Sequence, residues 1–182
     1  YYQNYDDYYS EIFSLNKSKI QNVFELGIGS TDNTNNYNMN FLGSKYSPGA
    51  SLRVWKDYFI NANVFGADID KNILFSEDRI TTHWVDQINK ESIINMYKNF
   101  GVEKFDIMID DGCHRYEETI NFFENSINKL SDDGVYVIED IVPSQRKRFL
   151  NYFKITNYKV KIINFHRPGN YLSSNCLITL RK

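Results

Sequence analysis

"NVFELGIGS" (22–30) is a short apolar run closed by two glycines one residue apart. An apolar run of this length bounded by a turn reads as a buried strand. The glycines after it let the backbone come close to a ligand. A dinucleotide-binding turn would need a third glycine at position 32, where this chain has Asp32. No helix pattern opens directly on the turn either, so a pyrophosphate would find no helix N-terminus there. A nucleoside ligand without a pyrophosphate fits the turn better.

Outward from that strand, apolar runs alternate with helical stripes. "RVWKDYF" ends a stretch that places Leu52, Trp55 and Phe59 on one helical stripe, after a turn at "YSPG" (46–49) and a polar loop over residues 30–40. "NVFGAD" (63–68) is a second strand and "RITTHWVD" (79–86) a third. "KESIINMYKNF" (90–100) carries Ile93, Ile94, Tyr97 and Phe100 on one helical face. "FDIMID" (105–110) is a fourth strand. "YEETINFFENSINKL" (116–130) sets Tyr116, Ile120, Phe123, Ile127 and Leu130 at steps of four and three, the clearest helical period in the chain. "SDDG" (131–134) reads as a turn, "VYVIED" (135–140) as a fifth strand and residues 144–153 as a helix. "YKVKIINF" and "NCLITLR" close the chain as two strands around a loop containing Gly169, suited to an antiparallel pair. Strands alternating with helices predict an α/β fold with a sheet covered on both faces. No repeat or linker divides residues 1–182, so a single domain is expected.

Composition bounds the function classes. The net charge of −2 offers no basic field for nucleic acid. No window is long and apolar enough for a membrane span. The first residues lack the basic start and apolar stretch of a signal peptide. The two cysteines, Cys113 and Cys176, form no C-x-x-C pair, and a reduced, cytoplasmic protein is expected. The frequent Asn, Ile and Lys fit a low-GC bacterial coding bias. The chain begins at Tyr1 rather than Met, so an N-terminal segment ahead of it is also expected.

In an open parallel sheet, ligands bind at the carboxyl ends of the strands. Acids fall at those ends repeatedly: Glu25 in the first strand, Asp68 and Asp70, then Asp86, then Asp110 and Asp111, then Glu139 and Asp140. Helix capping accounts for one or two such acids, but five strands in a row strain that explanation. Asp68 is placed to accept from ribose hydroxyls, and Asp86 from an adenine amino group.

"FELGIGS", "VFGADID", "HWVDQ" and "FDIMIDDGCH" together resemble the successive motifs of class I S-adenosylmethionine-dependent methyltransferases, in order and spacing from about Asn22 to Asp140. The commoner form of the first motif has a glycine where this chain has Thr31. The resemblance implies a Rossmann-like, seven-stranded mixed sheet with helices on both faces, its last two strands an antiparallel hairpin. It implies that Glu25, Gly27 and Gly29 line the methionine end of the cofactor, that Asp68 holds the ribose and that Asp86 and Gln87 flank the adenine. Asp110 would face the cofactor or its amino group.

In such a sheet the fourth and fifth strands are neighbours, which brings Asp111 beside Glu139 and Asp140. Three packed carboxylates take up protons or bind a cation. All-oxygen ligands favour a hard ion, Mg²⁺ first, with Ca²⁺ or Mn²⁺ as alternatives. The string "DDGCH…VIED" is similar to the metal-dependent sugar O-methyltransferases of the mycinamicin and macrocin type, which usually carry Ser where this chain has Cys113. That similarity implies Asp111, Glu139 and Asp140 as metal ligands and His114 as the catalytic base.

The expected activity is therefore metal-assisted O-methylation of a carbohydrate hydroxyl, on a nucleotide sugar or on a bacterial surface glycan such as capsule polysaccharide. A catechol-type acceptor, a nicotinamide-dependent oxidoreductase and a non-catalytic cofactor-binding module are the rival readings. The aromatic-rich start is suited to pack on a second copy, so a homo-oligomer is a further expectation. Plainer roles also exist. His114 would begin the following helix, Cys113 would be a small turn residue, and Trp55 and Phe59 would be core. His83 and His166 would be structural or surface residues. Ser51 and Arg53 would lie on a helix surface or touch the cofactor carboxylate or a glycan, and "QRKR" (145–148) would be an exposed helix face.

Overall fold

Residues 5–34, 38–165 and 176–182 are described by the computed structural model. Eight strands form one mixed sheet in the order β3-β4-β2-β1-β5-β6-β8-β7. The strands are β1 (Asn22–Leu26), β2 (Asn63–Asp68), β3 (Ser76–Glu77), β4 (Ile80–Trp84), β5 (Phe105–Asp110), β6 (Leu130–Ile138), β7 (Lys159–Asn164) and β8 (Cys176–Arg181). The helices are α1 (Tyr5–Phe13), α2 (Ala50–Tyr58), α3 (Lys90–Phe100), α4 (Tyr116–Ser126) and α5 (Pro143–Phe153).

β1 is central because its pleat is apolar on both faces. Val23 packs toward α1 and α2 with Val64, Ile107 and Val137. Phe24, one residue on, packs against the other core with Tyr97, Phe105 and Phe122. β1 pairs in parallel with β2 on one side and β5 on the other. The chain leaves β1 toward β2 and β4, then returns to build β5 and β6 on the opposite side. That reversal makes the carboxyl ends of β1 and β5 the topological switch point, where an open α/β sheet has its crevice.

The α/β class and the closing antiparallel hairpin, β7 with β8, match the sequence reading. The differences are local. The sheet has eight strands rather than seven; the extra one, β3, is two residues paired to β4, too short to show any periodicity. α1 had no counterpart in the sequence reading, although Tyr5, Tyr9 and Phe13 are its buried stripe. On α3, Ile94 is half exposed and Met96 takes the buried place beside Ile93 and Tyr97. α4 stops at Ser126, a 3₁₀ turn covers Ile127–Lys129, and Leu130 opens β6. The expected turn at residues 131–134 is a bulge inside β6: Phe105 pairs with Leu130, but Ile107 pairs with Val135. β4 is shorter than the expected third strand, and β6 ends at Ile138, so Glu139 and Asp140 stand just beyond the ladder. Residues 35–37 of the polar loop, His166 and Gly169 lie outside the described residues. Among the described residues, no helix is long and apolar enough to cross a membrane.

Candidate active site at the carboxyl ends of the strands

The ladder continues past the strand ends and fixes the loops that carry the acids. Asp111 N–H donates to Leu26 O and Glu139 N–H to Asp110 O, each at 2.9 Å. Asp111 and Glu139 are thereby held as extensions of β5 and β6. Successive side chains point to opposite faces of a sheet. Glu139 therefore falls on the face of Val135 and Val137, under α1, and its carboxylate accepts from the Tyr9 hydroxyl. Asp140 accepts from the Tyr5 hydroxyl at 2.5 Å.

Ligand atoms of Asp111, His114 and Asp140 all lie within 4.8 Å of one another. His114 Nε2 is 3.9 Å from Asp111 Oδ1. Two residues of this group, His114 (φ 55°) and Asp140 (φ 54°), have left-handed backbones, as does Arg79 (φ 57°). A non-glycine residue in that region carries strain and persists only where its surroundings hold it. The fold thus spends backbone energy to bring this imidazole and this carboxylate to one point. Glu139, in the hydrogen bond with Tyr9, lies outside this innermost set, although its charge acts on Asp111.

The electrostatics follow from crowding. Burial, and then the charges of Glu139, Asp140, Glu25 and Asp110, push the Asp111 carboxyl well above the usual range. Its side chain keeps 38% of its surface exposed, so the like charges weigh more than burial there. Burial raises Glu139 to about 8; Tyr9 offsets part of this, and Glu25, Asp140 and Asp110 add to it. Burial lowers the His114 imidazole, against the pull of Asp140. Five acids crowded in this way favour taking up protons or holding a cation over standing fully ionised.

The other expected residues stand at or just beyond the carboxyl ends of the strands. Glu25 is buried, with its carboxyl raised to about 7 by burial, and accepts from Ser51 Oγ and, at 2.5 Å, from Trp55 Nε1. Asp68 accepts the backbone N–H groups of Ile28 and Asp70, each at 2.9 Å, which ties the end of β2 to the glycine turn. Asp86 accepts from Ile88 N–H at 3.1 Å and so shapes its own turn. Gln87 Oε1 accepts from Cys113 N–H at 3.0 Å, while its buried Nε2 has no partner. Asp110 is buried on the opposite face from Glu139; Oδ1 accepts from Gly112 N–H at 3.2 Å and Oδ2 has no partner. Gly27 and Gly29 both have positive φ. A Cβ at Gly27 would lie 2.1 Å from Asp111 O, and one at Gly29 1.7 Å from the Tyr46 hydroxyl. Those glycines are required by the protein's own close approaches, whatever ligand they face.

The remaining candidates have ordinary roles. His83 packs at a tilt against Phe100, ring centroids 4.8 Å apart. Arg53 pairs with Glu77 at 2.6 Å, and Arg148 with Glu117 at 2.5 Å. Burial raises the Cys113 thiol, away from thiolate. Tyr5 and Tyr9 are not among the residues expected from sequence, and Trp55, expected in the core, also donates to Glu25. An i, i+4, i+8 aromatic stripe at Tyr5, Tyr9 and Phe13 was the available signal for α1.

No protein-family model matches the chain. It is 30% identical over 136 residues to the 8-demethyl-8-alpha-L-rhamnosyl tetracenomycin-C 2'-O-methyltransferase of Streptomyces olivaceus, covering 75% of this chain and 32% of that protein. It is 37% identical over 93 residues to the demethylmacrocin O-methyltransferase of Streptomyces fradiae, covering 51% of this chain and 23% of that protein. Among solved structures, the MycE methyltransferase of the mycinamycin biosynthetic pathway, in complex with Mg, SAH and mycinamycin VI, superposes with a TM-score of 0.72 at 21% identity. That match covers 98% of this chain and 49% of MycE. The chain thus spans about a third or less of the sequence relatives it matches, and half of MycE. The chain has the fold of the MycE methyltransferase, and by sequence it is similar to sugar O-methyltransferases of the tetracenomycin, macrocin and mycinamicin type.

Proposed function

We propose that this chain carries the cofactor and cation sites of an S-adenosylmethionine-dependent, divalent-cation-assisted O-methyltransferase acting on a sugar hydroxyl. The observation that carries the reading is the convergence of Asp111, Asp140 and His114 within 4.8 Å at the ends of adjacent strands. Homology to sugar O-methyltransferases, and Mg and SAH in the MycE complex, support it.

The residues fit both groups. For the cation, Asp111 and Asp140 supply hard oxygen donors, with Glu139 beside them; this chemistry suits Mg²⁺ and disfavours zinc, which prefers nitrogen and sulfur. For the cofactor, the unpartnered buried Nε2 of Gln87 offers a donor to a purine nitrogen, next to Asp86. Asp68 would hold the ribose, and Glu25 with the turn at Gly27 and Gly29 would line the methionine moiety. When bound, the cofactor supplies an electrophilic methyl group, and the cation lowers the pKa of an alcohol it holds.

The chain's own residues would do three things. The acids would fix the acceptor's two neighbouring oxygens relative to the cofactor, and orientation of this kind contributes several powers of ten in rate. His114 would take the hydroxyl proton at Nε2, because an imidazole with a reference pKa of about 6.5 is a competent base near neutral pH. The apolar walls of α1 and α2 would keep the centre partly dry. A vicinal diol on a sugar satisfies this geometry, and a nucleotide sugar or a bacterial surface glycan would present one.

The test is a screen of nucleotide sugars and free glycosides with S-adenosylmethionine and Mg²⁺, read as a mass gain of one CH₂. Methylation that persists undiminished in excess chelator, or confined to catechols, would overturn the reading.

A further inference from the structure

α1 puts two phenols onto the acids at the end of β6. Tyr9 donates to Glu139 Oε1 and Tyr5 to Asp140 Oδ1. These contacts join residues 130 and 135 positions apart in the chain. Both rings are fixed by packing. Tyr9 lies edge-on to Trp55 at 5.2 Å and stacks on Phe13 at 5.7 Å, while Tyr5 packs on Phe165 at 5.1 Å. The hydroxyls therefore have little freedom to follow a carboxylate that moves. Asp140 additionally sits on a left-handed backbone, which needs an external hold to persist.

We propose that Tyr5 and Tyr9 are positioning residues of the cation centre: Tyr5 fixes the Asp140 carboxylate beside Asp111 and His114, and Tyr9 fixes Glu139 next to them. The inference rests on the cation reading above. The residue type suits the task. A phenol, with a reference pKa of about 10, stays a neutral donor at pH 7. A lysine or arginine at either place would neutralise the acids and compete with the cation. A phenylalanine would leave a carboxylate oxygen facing an apolar wall. Hydrogen-bond partners behind metal ligands typically contribute about 10- to 100-fold in affinity.

Tyr8 provides an internal control. It sits on the same helix, but its hydroxyl meets Thr179 Oγ1 at 3.3 Å instead of an acid. The experiment measures Mn²⁺ binding by electron paramagnetic resonance, without cofactor, in the full chain and in Tyr5→Phe, Tyr9→Phe and Tyr8→Phe. Circular dichroism melts in chelator check that each variant is folded. Expected are about 10- to 100-fold weaker Mn²⁺ binding in Tyr5→Phe and Tyr9→Phe, and binding unchanged in Tyr8→Phe. Should Tyr9→Phe fail to fold, Tyr5→Phe at the outer end of the helix decides. Wild-type affinity in folded Tyr5→Phe and Tyr9→Phe overturns the inference and leaves the cation reading standing. An equal loss in Tyr8→Phe overturns it too, since helix docking would then be the cause. No Mn²⁺ binding by the wild-type chain removes the cation reading, and this inference with it.

Discussion

Asp110 and Asp111 are adjacent in sequence and serve opposite faces of the sheet. Asp110 follows the pleat of Met108 into the core under α3 and α4, where its charge acts on the Tyr97 and Tyr136 phenols. Asp111 follows Ile107 and Ile109 to the face covered by α1, and joins His114 and Asp140. A strand's period of two makes this separation unavoidable once β5 is in register with β1.

Asp111→Asn and Asp110→Asn should therefore behave differently, although each removes one charge from the same dipeptide. Asp111→Asn is expected to weaken Mg²⁺ or Mn²⁺ binding by about tenfold or more, by analogy with the loss of a ligand's partner. Asp110→Asn is expected to leave cation affinity within about twofold and to weaken cofactor binding instead. Isothermal titration of each variant with cation and with S-adenosylhomocysteine reads both. Equal cation affinity in the two variants would remove Asp111 from the centre.

His114→Ala tests the base. A positioned general base contributes about 10²- to 10⁴-fold to a rate, so kcat should fall by that factor while cofactor affinity stays nearly constant. The left-handed backbone at His114 makes His114→Asn a useful second variant, because asparagine tolerates that conformation and cannot act as a base near neutral pH. Methyl transfer at the wild-type rate in both would exclude the imidazole from the chemistry.

Much of this was legible in the sequence because parallel α/β folds write themselves in short apolar runs. β1, β2 and β5 have the bounds that their apolar residues mark. The acids at their ends were visible too, since only the carboxyl ends of strands repeat that pattern. What was not legible came from long-range contact. Tyr5 and Tyr9 are unremarkable aromatics until α1 folds over β6, and nothing local says that Trp55 turns its Nε1 toward Glu25. The bulge at residues 131–134 reads as a turn because a looped-out strand segment and a turn use the same polar residues. Asp110 differs from Asp111 by parity alone, which the strand register decides.

Stability without a cation should fall as pH rises. Glu25 and Asp110 are each raised by burial from 4.5 and 3.8 to about 7, and Glu139 from 4.5 to about 8. Between the unfolded and folded values, the native chain holds protons that the unfolded chain has released. The unfolded state then binds fewer protons, and the stability slope with pH is negative. The contribution is fully present below the unfolded values and is lost as pH climbs through about 7 to 8. Chelated protein should melt at progressively lower temperature across that window, and added Mg²⁺ should restore most of the loss at the alkaline end. A chelated protein that gains stability over the same range would contradict the crowding of acids described above.

Trp55→Phe probes the methionine end of the crevice. Glu25 is buried with 3% of its surface exposed, and its two hydrogen bonds, from Ser51 and Trp55, are what hold its carboxyl down against burial. Phenylalanine preserves a ring against Tyr9 and Phe59, which lie 5.2 and 6.0 Å from the indole, but removes the Nε1 donor. Losing one hydrogen bond to a buried carboxylate costs about 1–3 kcal/mol when that group stays ionised. Glu25 escapes part of the cost by keeping its proton, so its titration moves above the present value of about 7. If the ionised carboxylate holds the cofactor's ammonium group, Trp55→Phe should bind S-adenosylhomocysteine more weakly at neutral pH. The deficit should shrink as pH rises by about two units, because the carboxylate ionises again. Calorimetric titrations at the two pH values separate this from a packing defect, which would weaken binding equally at both.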